Sequence, residues 1–226
     1  MKNNDLVGEF LGTYILVFAG CLAVVVDTMH SNLGSVGISL VFGFVIVALI
    51  YAFGHISGAH FNPAVTISFA LMGEFDKKKV LLYVASQVAG AILASLTIWL
   101  LVVESNKEMR ELSYLGATLP SGSVIQSFVL EFILTFILML VIYTSAVHGR
   151  AIKSFAGLAI GFTVGLEAMI GGAISGASMN PARSIGPAIV SLNLEHLWIY
   201  IVAPIFGALF AGVIFVKFMK CKDGRC

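Results

Sequence analysis

Ile56-Ser57-Gly58-Ala59-His60-Phe61-Asn62-Pro63-Ala64 and Ile174-Ser175-Gly176-Ala177-Ser178-Met179-Asn180-Pro181-Ala182 are one segment written twice, identical at seven of nine positions and 118 residues apart. Two fainter echoes run close to that register. Glu9-Phe10-Leu11-Gly12-Thr13 answers Glu131-Phe132-Ile133-Leu134-Thr135 at an offset of 122, and Gly90-Ala91 answers Gly207-Ala208 at 117. The chain therefore reads as one domain, 1–226, built of two related halves, about 1–115 and 116–226.

The surroundings of the repeat are apolar. Of 226 residues, 59% are hydrophobic and 11% charged, with a net charge of +1. A soluble domain carries about a quarter charged residues, so this chain must use lipid as its solvent. The near-neutral balance lacks the basic patch that a nucleic-acid partner requires. Six long apolar segments are read, at 6–26, 35–54, 81–103, 124–147, 155–170 and 197–219. In a bilayer each must satisfy its own backbone hydrogen bonds, so each is expected to be a helix. The first is taken as a span rather than a signal peptide, because equally long apolar runs follow it.

Two further apolar stretches, Asn62–Met72 and Asn180–Ser191, are too short to cross, and each follows a Gly-rich loop. They are expected to be re-entrant half-helices. Irregular backbone at membrane depth is tolerated only where protein buries it or water reaches it, so the loops imply a wet cavity. Each half holds three spans, an odd number, so the second half enters the membrane from the opposite face. The fold class is an all-α membrane protein of six spans and two half-helices in an inverted repeat. Such folds place the permeant site at the midplane between their halves.

Lys2, Lys77, Lys78, Lys79, Arg150, Lys153, Lys217, Lys220, Lys222 and Arg225 all fall on one side of a six-span chain. By the positive-inside rule that side is cytoplasmic and holds both termini. On the other side Lys107 and Arg110 are outnumbered by Glu104, Glu108 and Glu111, in the longest connection, 104–122. Of the three cysteines, Cys21 is read as helix packing, and Cys221 and Cys226 lie in the charged tail; no zinc spacing or disulfide framework is legible.

Asn is a favoured N-cap and Pro a favoured first helical residue, so Asn62-Pro63 and Asn180-Pro181 each read as a helix start. Each Asn oxygen can accept from its own half-helix, which turns the amide NH₂ toward the cavity. The two half-helices would aim their positive N-terminal ends at the midplane, a barrier to cations and protons. The carbonyls of Gly58, Ala59, His60 and Phe61, and of Gly176, Ala177, Ser178 and Met179, are expected to line the path as acceptors. Acceptors along one side and donors at the centre suit a neutral hydrogen-bonding molecule such as water.

With these motifs in place, the chain resembles the major intrinsic protein family, the aquaporins and glycerol facilitators. The resemblance covers nearly the whole chain and is strongest at Ser57-Gly58-Ala59-His60-Phe61-Asn62-Pro63-Ala64-Val65-Thr66 and Asn180-Pro181-Ala182-Arg183-Ser184. It implies a right-handed bundle with a pore in each subunit of a homotetramer, in the inner or plasma membrane. It implies an external filter that falls here on Phe42, Ala168, Ala177 and Arg183. It also implies that Glu9 and Glu131 brace the two pore loops, with Gln87 assisting. Strict water channels of this family place a His where Ala168 stands. Two alanines make a wider filter with an apolar side, closer to the nodulin-like plant channels and some archaeal members. Water, with glycerol, urea or neutral metalloid acids, is the expected cargo.

Two other functions fit six spans and a repeat: a secondary transporter, which needs a coupling-ion site, and a structural membrane protein with a vestigial pore. No nucleophile–base or metal constellation is readable, so catalysis and cofactors are not expected. Glu167 is left without a role, with bracing of the external loop and lining of a vestibule both open.

Overall fold

A computed structural model describes residues 3–102 and 113–221. The charges expected at Lys2, Glu104, Lys107, Glu108, Arg110, Glu111, Lys222 and Arg225 lie outside these residues. Eight α-helices are present among the described residues: α1 (Asn3–His30), α2 (Gly34–Ser57), α3 (Pro63–Leu71), α4 (Val80–Val102), α5 (Val124–Ile142), α6 (Ala156–Ser175), α7 (Pro181–Ser191) and α8 (Ile199–Ile214). Six of them are long and apolar enough to cross a bilayer, and α3 and α7 are the two short ones. The protein is an all-helical, multi-pass membrane protein. Single π-turns, Tyr143–Val147 and Phe215–Met219, extend α5 and α8, both in the second half.

The repeat in sequence is a repeat in backbone. Gly58 ends α2 with φ 89°, and Gly176 ends α6 with φ 88°. This left-handed conformation costs glycine nothing, and it turns each chain sharply back into the molecule. α6 runs past its expected end at 170 to reach Ser175. Gly171 permits that extension, since a Cβ there would sit 2.8 Å from Leu134 Cδ1.

The protein exposes large apolar side chains and buries several polar ones. Leu81, Ile125 and Phe218 are more than 70% exposed, whereas Glu9, Gln87 and Glu131 have no exposure at all. That arrangement needs lipid over the surface, and Glu9, Gln87 and Glu131 are each hydrogen-bonded inside. The ends are tied at one face. Lys79 Nζ lies 3.3 Å from Asp5, Lys220 pairs with Glu74, and the Tyr51 hydroxyl donates to the Ser154 carbonyl at 3.0 Å. The N-terminus, the connections after α3 and α5, and the C-terminal segment thus share one side.

The third echo in the sequence marks the closest helix crossings. A Cβ on Gly90 would strike the Phe10 carbonyl oxygen of α1, and one on Gly207 would strike the Phe132 carbonyl oxygen of α5. No side chain tip can yield there, because the obstacle is backbone. Gly207→Val is expected to destabilise the protein by about 3 kcal/mol, the upper range for overpacking. Gly172→Ala, where nothing lies within 4 Å of the new Cβ, is expected to be neutral or to stabilise by up to about 1 kcal/mol. Thermal midpoints of the purified variants in one detergent check both.

Candidate functional site

Asn62 and Asn180 hold extended backbone, with φ −151° and −148°, one residue before their half-helices. The Asn62 Oδ1 accepts from Ala64 N at 2.9 Å; the Asn180 Oδ1 accepts from Ala182 N at 3.0 Å and Arg183 N at 3.3 Å. Pro63 and Pro181 occupy the first helical positions, where no N–H is needed. The amide nitrogens do more than face the cavity. Asn62 Nδ2 donates to the Met179 carbonyl at 2.8 Å, and Asn180 Nδ2 donates to the Phe61 carbonyl at 2.9 Å. Each half-helix tip is hydrogen-bonded to the loop of the other half, and one N–H of each amide remains for the lumen.

These bonds occupy one lone pair of each of the Phe61 and Met179 carbonyls and leave the other free. Phe61 is absent from the walls of the two cavities described below. Its ring is 1% exposed and lies where a side chain on Gly12 would be, so bulk at position 61 is absorbed by α1. Ala59, Phe61, Ala177 and Met179 all hold positive φ, between 43° and 54°. Strained loops of this kind persist only when their surroundings over-determine them.

Two buried carboxylates supply that determination. Glu9 Oε1 accepts from Ser57 Oγ (2.7 Å) and His60 N (3.0 Å), and Oε2 from Phe61 N (2.7 Å) and Gln87 Nε2 (2.7 Å). Glu131 Oε1 accepts from Ser175 Oγ (2.7 Å) and Ser178 N (2.8 Å), and Oε2 from Met179 N (2.9 Å). Gln87 also donates to Thr66 Oγ1 at 2.9 Å. A further matched pair escaped the sequence reading. The Tyr83 hydroxyl donates to the Ser57 carbonyl at 2.9 Å, and the Tyr200 hydroxyl to the Ser175 carbonyl at 2.7 Å. Their separation of 117 residues is that of Gly90 and Gly207, a signal sufficient to have found them.

Two cavities meet at one narrow place. The inner one, about 140 Å³, is lined by Gly58, Ala59, His60, Asn62, Ser178, Met179 and Asn180 on one side and by side chains such as Leu16, Ile46, Ile160 and Val164 on the other. The outer one, about 360 Å³, includes Asp27, Ser39, Thr118 and Gly176 in its wall. Four residues line both: Phe42, Ala168, Ala177 and Arg183. They are the four that the resemblance put at the filter.

Arg183, 4% exposed, donates from Nη1 to the Gly116 carbonyl at 2.7 Å and to Cys21 Sγ at 3.2 Å, and its Cζ lies 5.0 Å from the centre of the Phe42 ring. Thr118 and Ser178 both hydrogen-bond Ser184, one residue on.

Residues 2–215 match the family described as Major intrinsic protein. The chain belongs to this family. It is 51% identical over 208 residues to Aquaporin NIP1-2 of Arabidopsis thaliana, an alignment covering 91% of this chain and 71% of that protein. It is 47% identical over 221 residues to Nodulin-26 of Glycine max, covering 97% and 79%. Among solved structures, the aquaglyceroporin from Plasmodium falciparum superposes with a TM-score of 0.85 at 28% identity, covering 97% of both chains.

One carboxyl stands apart within this aquaporin fold. Glu167 is 3% exposed, neither of its oxygens has a hydrogen-bond partner among the described residues, and it lines neither cavity. Among the described residues it neither hydrogen-bonds the connection before α5 nor lines the larger cavity. The two kinds of buried carboxyl should respond differently to an amide. Glu131→Gln puts an NH₂ against a backbone N–H and is expected to cost about 3 kcal/mol. Glu167→Gln breaks no bond and is expected to change stability by less than about 1 kcal/mol. Thermal unfolding of the two purified variants distinguishes them.

Proposed function

We propose that the protein is a passive channel for water and small uncharged solutes, a single channel domain with its pore between the two halves. The supporting observation is that Phe42, Ala168, Ala177 and Arg183 divide an outer cavity from an inner one whose wall carries both Asn62 and Asn180. Membership of the major intrinsic protein family and similarity to proteins named aquaporin, nodulin-26 and aquaglyceroporin support the same reading.

The proposed path works by matching a neutral permeant's hydrogen bonds without charge. At the filter, Arg183 donates to the permeant and its fixed charge repels cations. At the centre, the lumen-facing N–H of Asn62 and of Asn180 donate to the permeant's oxygen, so that molecule cannot at the same moment relay a proton along a water chain. Both half-helix N-termini point there, and their partial positive charge adds to the barrier. Carbonyls of Gly58, Ala59, His60, Phe61, Gly176, Ala177, Ser178 and Met179 are the proposed acceptors along the loop side. The short side chains of Ala168 and Ala177 leave room beside Phe42 for a solute with a carbon skeleton. Glycerol, urea and neutral metalloid acids are the proposed cargo beyond water.

A proton-coupled carrier would need a carboxyl that meets the path. Glu9 and Glu131 are committed to the loops, and Glu167 lines neither cavity. We further propose a homotetramer in the cell membrane, with both termini cytoplasmic. The lysines at 77–79 and at 217 and 220, together with Arg150 and Lys153, gather at the face shared by the N-terminus and the C-terminal segment, which supports that orientation.

Osmotic swelling of proteoliposomes in sucrose and then in glycerol tests the function. Flux linear in the gradient, without saturation or ion dependence, is expected; saturable or ion-coupled flux would contradict a channel. Ala168→His is expected to lower glycerol permeability at least about tenfold more than water permeability, a steric discrimination within the range that one or two methylenes provide. Equal losses for both solutes would refute the filter assignment.

A further inference from the structure

We propose that Gly20 and Cys21 of α1, neither of which lines a cavity, are specificity-determining residues. On this proposal Gly20 sets how far the Phe42 ring stands back from the lumen, and Cys21 sets where the Arg183 guanidinium rests. The inference builds on the filter reading above and extends it to a helix that contributes no filter residue.

The geometry at Gly20 is one of substitution. A Cβ built on Gly20 would overlap the Phe42 ring at Cε1, Cζ and Cδ1. The ring therefore occupies the volume of the missing side chain. Gly12, two turns earlier, receives Phe61 in the same way, and Leu16 between them lines the inner cavity. One face of α1 thus seats an aromatic of the filter, touches the lumen and seats an aromatic of the pore loop. Phe42 is packed to 8% exposure. Any group added at Gly20 leaves its ring one free direction, into the passage.

Cys21 acts on the other wall. Its thiol, fully buried, accepts from Arg183 Nη1 at 3.2 Å and points at the Gly116 carbonyl at 3.7 Å. That same carbonyl receives Arg183 Nη1 at 2.7 Å. Gly116, at φ 75°, lies so close that a Cβ on it would be 2.8 Å from Cys21 Cα and Cβ. The external connection rests on Cys21, and Arg183 rests on both. A residue in the first span thereby positions a charge 162 positions away. Removing the sulfur opens a gap behind the guanidinium, into which it can fall back and widen the filter.

The readout is the ratio of glycerol to water permeability in proteoliposomes, which does not depend on how much protein folds or inserts. Gly20→Ala is expected to lower the ratio and Cys21→Ala to raise it, each by about threefold or more, within the range of small steric changes at a specificity pocket. Cys21→Ser, which restores an acceptor to Arg183, is expected to return the ratio close to that of the unaltered protein. A ratio unchanged in either alanine variant overturns the assignment of that residue. Ala168→His run alongside separates the causes. If it shifts the ratio while Gly20→Ala and Cys21→Ala do not, the support role fails and the filter stands; if none of the three shifts it, the filter reading has failed with it.

Discussion

The reciprocal pair of hydrogen bonds between the two pore loops is the constraint on which the rest depends. Asn62 reaches the Met179 carbonyl and Asn180 reaches the Phe61 carbonyl, so each half of the molecule completes the other. The same amides cap their own half-helices through oxygen. A side chain that accepts at one end and donates at the other satisfies both demands; Asp could cap but not donate, and Ser could not span. Burial makes the bonds matter, because an unpaired polar group at membrane depth costs several kcal/mol, on the order of the net stability of a domain.

Around that joint the protein is built to hold strained backbone still. Four non-glycine residues in left-handed conformation would relax in water. Here Glu9 and Glu131 take successive loop N–H groups, and Tyr83 and Tyr200 take the carbonyls where α2 and α6 end. The two frameworks are not identical. Gln87 links Glu9 to Thr66 in the first half, whereas in the second the matching ground is held by Ser184, Ser178 and Thr118. That asymmetry follows the division of labour, for only the second loop carries Arg183.

Much of this was legible in the residues. A duplicated loop with two Asn-Pro pairs fixes the inverted repeat, and three spans per half fix the opposed entry. The resemblance to the family is what put Arg183 and Phe42 at the filter. What escaped depends on contacts between elements remote in sequence. The seat of the Phe61 ring in α1 shows only once Gly12 is seen to leave room for it. Arg183 meets Cys21 directly and shares with it the Gly116 carbonyl, in a connection without periodicity to read. Glu167 sits one residue from Ala168, and helical rotation, invisible as spacing alone, separates a residue that meets the lumen from one that does not.

A cryo-EM map of the protein in lipid, at a resolution that shows ordered water, tests the joint most directly. The expected map has one water within hydrogen-bonding distance of Nδ2 on both Asn62 and Asn180, while each amide's other hydrogen stays on the opposite loop carbonyl. Amides standing apart, with the two loops unlinked or a closed lumen between Arg183 and His60, would contradict it.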